Sequence, residues 1–228
     1  MPVHQKTLES TAMSYLANIP LFSGFAPEQL QQMEKHAVFR SFQKNAIVIT
    51  EGDQSDSLYI IVSGRVRVFC SDENGKEVTL NDLKAGDHFG ELALFDEQER
   101  SASVVTTEPC RCLILSRHAL IEAFRHNPEL AYNLVRYLSQ RVRSLTSSVK
   151  NLALMDVYGR VANTLLQLSE KKGDQLVTEI PLTQQDIANR VGASREMVSR
   201  IMKDLVVGGY IRMEKKRIVI NDELPAHY

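Results

Sequence analysis

Long apolar runs are missing from this 228-residue chain, and none reaches the roughly eighteen residues that a membrane span requires. The opening stretch, "MPVHQKTLESTAMSYL", has neither the apolar segment nor the small-residue cleavage site of a secretory signal, so a cytoplasmic protein is expected. Cysteine is scarce as well. Cys70, Cys110 and Cys112 make an odd set of three, which argues against a disulfide framework and fits a reducing compartment. Cys110 and Cys112 lie two apart, a spacing that strand alternation turns into two small buried residues on one face, whereas metal sites favour Cys-x-x-Cys. His4, His36, His88, His118, His126 and His227 show no ligand spacing, and no metal is expected. No nucleophile–base pair or hydrolytic arrangement stands out, so the chain does not read as an enzyme. Net charge is also nearly absent, at −1.

What is present is an ordinary globular composition, 43% apolar and 24% charged, in a chain long enough for one large or two ordinary domains. The charge is unevenly spread. Between Thr183 and Arg217 there are eight basic residues (190, 195, 200, 203, 212, 215, 216 and 217) against four acidic ones (186, 196, 204 and 214). A local excess of four positive charges in a near-neutral protein points to a polyanion partner.

Three patterns follow one another. Residues 27–37 read as a short helix with Pro27 in its first turn. From about residue 38 to 116, short Val-, Ile- and Tyr-rich runs alternate with turn signals, among them Asn74-Gly75, and predict a β-sandwich or roll. From Pro128 the pattern is helical. Val135, Val142 and Val149 recur every seven residues, as do Leu138, Leu145 and Leu152. Valine at one seam position and leucine at the other favour a parallel two-stranded coiled coil, hence a homodimer. Asp156 should cap the next helix, whose apolar stripe is Val157, Val161, Leu165 and Leu168, with Gly173 ending it and a strand at 176–180. Thr183 caps a further helix with Asp186 in the capping-box position; Ile187 and Val191 face inward, Ala188 permits a close crossing, and Gly192 suits a left-handed turn. Ser194 caps a second helix with Val198, Ile201 and Leu205 inside, and a basic hairpin follows. This is the spacing of a winged helix-turn-helix. Arg195, Glu196, Ser199, Arg200 and Lys203 form the exposed face of the candidate reader, where arginine can fork onto guanine and glutamate can accept from cytosine. Lys215 and Lys216 sit in the wing.

The stretch "FGELALFDEQERSAS", residues 89–103, places a glutamate and an arginine in one loop. They can pair with each other, or they can be two ends of a clamp on a small anion. With roll, seam and reader in sequence, the chain resembles the Crp/Fnr family of bacterial transcription regulators. "EGDQSDSLYIIVSGRVRV" looks like its early roll strands, "FGELALFDEQERSAS" like its phosphate-binding cassette, "NLALMDVYGRVANTLLQL" like the join to the DNA domain, and "GASREMVSRIMKDL" like its reader helix. The resemblance implies an α+β fold: a cyclic-nucleotide-binding β-roll (1–127), a dimerisation helix and hinge (128–155), and a winged helix-turn-helix domain (156–228). It implies a cyclic nucleotide, cyclic AMP first, held by Gly90, Glu91, the backbone after it at Leu92, Arg100, Ser101 and Thr146. It implies a DNA interface of Thr183, Ser194, Arg195, Glu196, Ser199, Arg200, Lys203, Lys215 and Lys216 on a palindromic, TGTGA-like operator. RNA polymerase is the further partner expected; haem and iron–sulfur clusters are not expected, nor is a membrane. One departure concerns the base: where family members that bind cyclic AMP carry threonine and serine, this chain has Leu145 and Thr146. Cyclic GMP, cyclic di-GMP and ligand independence, or a nucleotide-binding module that contacts protein, are the alternatives.

Overall fold

The computed structural model describes residues 16–225 except 18, 35, 36, 55, 174, 215 and 216. Two compact units are present: residues 1–70 with 79–141, and residues 71–78 with 142–228. The first holds a short 3-10 turn (Pro20–Phe22), helix α1 (Pro27–Glu34) and eight strands: β1 (Ala37–Phe42), β2 (Ile47–Ile49), β3 (Ser57–Ser63), β4 (Arg65–Ser71), β5 (Glu77–Lys84), β6 (His88–Phe89), β7 (Ser103–Thr106) and β8 (Cys110–Ser116). Helix α2 (Leu92–Asp96) interrupts them, and α3 (Arg117–His126) and α4 (Pro128–Leu154), whose residues from 142 onward belong to the second unit, follow.

The strands form two four-stranded sheets, ordered β1-β8-β3-β6 and β2-β7-β4-β5. Alternation decides what each face touches. Cys110, Cys112, Ile61 and Phe89 of the first sheet join Ile49, Val66, Leu83 and Val104 of the second in one buried cluster, so the sheets close on each other as a roll. Leu58, Ile60, Leu113 and Leu115 point the other way, against Leu30, Leu120, Leu130 and Leu134 of the helices. Cys110 and Cys112 thus share one buried face, as expected of a strand.

Three boundaries differ from the sequence reading. Ala37 is the first residue of β1, paired with Leu115, rather than the end of a helix. Helix α3 was not expected at all; Ser116 caps it by accepting from the Ala119 N–H. In the second unit, α5 (Val157–Gln167) ends before Gly173, which lies instead in the turn between β9 (Ser169–Lys172) and β10 (Gln175–Thr178) at φ 65°. The four residues after Leu168 find partners in β10, and cross-strand pairing continues the chain where the helical stripe stops.

The second unit continues with α6 (Gln184–Val191), α7 (Arg195–Val207), β11 (Ile211–Glu214) and β12 (Arg217–Ile220), its sheet ordered β11-β12-β10-β9. Asp156 caps α5 by accepting from Gly159 N–H. Tyr158, Val161, Leu165, Ile187, Val191, Val198, Ile201 and Leu205 pack into one core, so the apolar stripes of three helices meet. Of the six seam residues, Val135, Val142, Leu145, Val149 and Leu152 are exposed on the single chain, and Leu138 is half-buried against the roll's own core.

Candidate functional site

The cassette is built by a strand, a glycine and a short helix. β6 pairs with β3 through Tyr59–Phe89 and Ile60–His88, and Gly90 then takes φ +87°, a conformation that side chains other than hydrogen rarely tolerate. A Cβ on Gly90 would lie 2.6 Å from Arg100 Nη1 and 3.1 Å from the Ser57 carbonyl oxygen. Glycine here therefore gives the guanidinium its place. Arg100 is buried, its Nη1 donating to the Gly90 carbonyl at 2.7 Å and its Nη2 to the Ser57 carbonyl at 2.8 Å. Burial draws its pKa down, while Tyr59, Glu91, Asp56 and Asp53 work the other way.

Glu91 is also buried, and burial raises its carboxyl pKa against the pull of its own backbone N–H, Arg141 and Arg100. Among the described residues no ion pair within 4.0 Å joins Glu91 to Arg100. The arginine is seated on carbonyls, and the two charges act on each other through space. Leu92 opens α2 with an exposed side chain. Ser101 is exposed, directly after the arginine, and its carbonyl accepts from Cys70 Sγ at 3.6 Å. Thr146 lies in the other unit; its hydroxyl donates to the Val142 carbonyl one turn back, at 2.9 Å, and its side chain is exposed.

Sequence reasoning missed the Ser57 carbonyl, Tyr137 and Arg141. Tyr137 and Arg141 are one turn apart on α4 and so share a face. The Tyr137 hydroxyl donates to the His88 carbonyl at 3.4 Å, and Arg141 Nη2 to the Leu80 carbonyl at 3.5 Å. The i, i+4 pairing of an aromatic and a cation was visible in the sequence; what it faces was not.

The second site is the helix-turn-helix. Thr183 and Asp186 form a complete capping box, the Thr183 hydroxyl accepting from Asp186 N–H and the Asp186 carboxylate accepting from Thr183 N–H. Gly192 ends α6 at φ 64°, and Ser194 caps α7 by accepting from Met197 N–H at 3.2 Å. With Val198, Ile201, Met202 and Leu205 buried, Arg195, Glu196, Arg200 and Lys203 are exposed and Ser199 is half-buried. Among the described residues none of those four charged side chains makes a hydrogen bond or ion pair. The rest of the local basic excess is used differently. Arg190 donates to the Asp186 carbonyl, Arg212 to Glu214, Asn221 and Gln175, and Arg217 to the Thr178 and Glu179 carbonyls. Arg212 and Arg217 thus tie strands of the domain together, and Arg190 bonds back onto its own helix. Lys215 and Lys216 lie outside the described residues.

Comparison with known proteins matches two families along the chain. The Cyclic nucleotide-binding domain family matches residues 39–127, and the Crp-like helix-turn-helix domain family matches residues 159–223. The chain is 36% identical over 211 residues to the CRP-like cAMP-activated global transcriptional regulator of Mycobacterium tuberculosis, covering 91% of this chain and 94% of that protein. It is 36% identical over 196 residues to the cAMP-activated global transcriptional regulator CRP of Salmonella typhimurium, covering 84% and 93%. Among solved structures, the c-di-GMP-responsive global regulator CLP of Xanthomonas campestris superimposes with a TM-score of 0.77 at 26% identity, covering 87% of this chain and all of that one. With a cyclic nucleotide-binding domain followed by a Crp-like helix-turn-helix, the chain belongs to the Crp family of transcription regulators, which are DNA-binding proteins rather than enzymes.

Proposed function

We propose that this protein is a homodimeric cytoplasmic regulator that binds cyclic AMP in each roll and thereby reads a palindromic, TGTGA-like operator. The observation that carries the reading is the seat of Arg100: a buried guanidinium on two carbonyls, beside a glycine that no larger residue can replace without displacing it. A guanidinium oriented by two carbonyls is held in place for the fork that a phosphate accepts. The residues present fit a cyclic nucleotide. Arg100 would fork onto the phosphate, the Ser101 hydroxyl and the Leu92 backbone would add bonds, and Glu91 would accept the ribose 2′-hydroxyl.

The exposed seam supplies the second element. Five large apolar side chains on one helix, Val135, Val142, Leu145, Val149 and Leu152, are an unusual surface for a monomer, and a second copy of the same helix would bury them in register. Dimerisation sets two α7 helices about one DNA turn, roughly 34 Å, apart, which makes the operator palindromic. The ligand acts only as far as it binds the DNA-competent state better than the other. The roll, the dimer helix and the DNA-binding domain divide at 127/128 and 155/156 on this reading, and RNA polymerase is the onward partner.

A second reading keeps the fold and changes the ligand. Leu145 has no hydrogen-bonding group, and the Thr146 hydroxyl is already directed to its own helix. The similar Xanthomonas regulator is named for cyclic di-GMP. Calorimetric titration of the purified protein with cyclic AMP, cyclic GMP and cyclic di-GMP decides between them. Cyclic AMP is expected to bind tightest; a preference for cyclic di-GMP would select the second reading, and no binding of any of the three would overturn both. Sedimentation tests the seam: the parent should run as a dimer at micromolar concentration, and Leu145→Asp should run as a monomer, because an unpaired carboxylate cannot be satisfied there.

A further inference from the structure

Tyr137 and His88 form a contact that none of the roles above uses. His88 is 4% exposed, on β6, three residues before Glu91. Its ring lies 4.1 Å from the Tyr137 ring, centroid to centroid, at 42°. The Tyr137 hydroxyl donates to the His88 carbonyl at 3.4 Å. The segment from His88 to Glu91 is therefore held at two alternate carbonyls. Arg100, the phosphate clamp, takes the Gly90 carbonyl, and Tyr137, from α4, takes the His88 carbonyl. Between these two points the backbone turns through Gly90 at φ +87° and delivers the Glu91 carboxylate. Glu91 and Arg141 both perturb the Tyr137 hydroxyl, which burial pushes up to about 12, so the phenol, the carboxylate and the guanidinium gather at one end of the cassette.

We infer that Tyr137 is a positioning residue of the nucleotide site: by fastening the His88 carbonyl to α4 it sets where the Glu91 carboxylate meets the ribose 2′-hydroxyl. This rests on the nucleotide reading above. A hydroxyl that holds the strand and not the ligand should matter for the contact made by Glu91 and be indifferent to the contact made by Arg100. Selectivity for the 2′-hydroxyl is the readout that separates this role from general support of the fold.

The test is Tyr137→Phe, which keeps the ring against His88 and removes only the donor. Calorimetry compares cyclic AMP with its 2′-deoxy analogue on the full-length protein. Cyclic AMP should lose about threefold to tenfold in affinity, the range of one neutral hydrogen bond, while the 2′-deoxy analogue changes by less than about twofold. In a Glu91→Gln background the same substitution should cost nothing further, since coupled residues are not additive. Equal losses for both nucleotides, no loss for either, or an undiminished loss in the Glu91→Gln background would overturn the inference and leave cyclic-nucleotide binding standing. A parent that bound no cyclic nucleotide would overturn the underlying reading instead.

Discussion

The cassette and the reader helix treat their charges in opposite ways. In the cassette, Glu91 and Arg100 are 8% and 4% exposed, and the guanidinium rests on backbone carbonyls. In the reader, Arg195, Glu196, Arg200 and Lys203 stand in solvent with no partner among the described residues. On the proposed function, partners of different size explain the difference. A small anion would be enclosed, so the protein would meet the desolvation cost of its cation when it folds, and the ligand would find it already fixed. A duplex is too large to enclose, so the reading groups stay hydrated until the helix enters the groove. Cassette affinity should therefore depend on single buried groups, and reader affinity on many exposed ones and on salt.

The contrast is broken most severely at Arg100. Arg100→Leu removes the cation and the seat it occupies. Charge-assisted bonds are worth about 1.5–3 kcal/mol each, so losing two should weaken cyclic-nucleotide binding by about two to four orders of magnitude. The salt dependence of nonspecific DNA binding should be unchanged, because no reader charge is touched. Calorimetry and a salt titration on random-sequence DNA check both halves.

At the reader the expected effect is smaller and of another kind. On the proposed function Glu196 is acidic on a face that meets a polyanion, so it would cost affinity and its benefit would be discrimination. Glu196→Ala should leave overall affinity similar or higher and relax one base position by about 1–3 kcal/mol. Selection from randomised duplexes at one salt concentration shows this; equal stringency at every position with parent and variant would mean that Glu196 reads no base.

The same contrast extends to pH. His88, buried on β6, has its pKa lowered by burial to about 4 from an ordinary 6.5. Below pH 6.5 the unfolded chain therefore takes up a proton that the folded chain refuses, and stability falls as pH falls from 6.5 towards 4. Between pH 7 and pH 5 this amounts to about 2 kcal/mol. Glu91, raised by burial, acts with the opposite sign, but it does so in parent and variant alike. His88→Phe should remove the acid sensitivity in denaturant melts at pH 5 and 7; an unchanged difference between the two pH values would show that His88 is not its source.

How far the sequence alone reached follows from the range of each signal. The capping box of Thr183 and Asp186, the left-handed Gly192, the Ser194 cap and the Gly90-Glu91 turn all lie within a few residues, and local chemistry made them legible. The roll was legible as alternation, though β6, only two residues long, was too short to show any. What stayed hidden spans distance along the chain. The seat of Arg100 depends on a carbonyl 43 residues away, and the hold on His88 on a hydroxyl 49 residues away. Backbone carbonyls carry no residue signature, so no motif records them. The wing arginines show the converse error: charge counted along the sequence overstated what faces outward, because Arg212 and Arg217 are bonded within their own domain.

The proposed regulation depends on the link between the enclosed charge and the exposed ones, and fluorescence anisotropy measures that link directly. Parent and Arg100→Leu are titrated onto a labelled duplex carrying two TGTGA-like half-sites, with and without cyclic AMP, at one fixed salt concentration. The parent should bind about fivefold to 150-fold more tightly with the nucleotide, in keeping with a coupling of about 1–3 kcal/mol, and Arg100→Leu should keep its nucleotide-free affinity and show no response. A parent indifferent to cyclic AMP, or a variant that responds as the parent does, would contradict it.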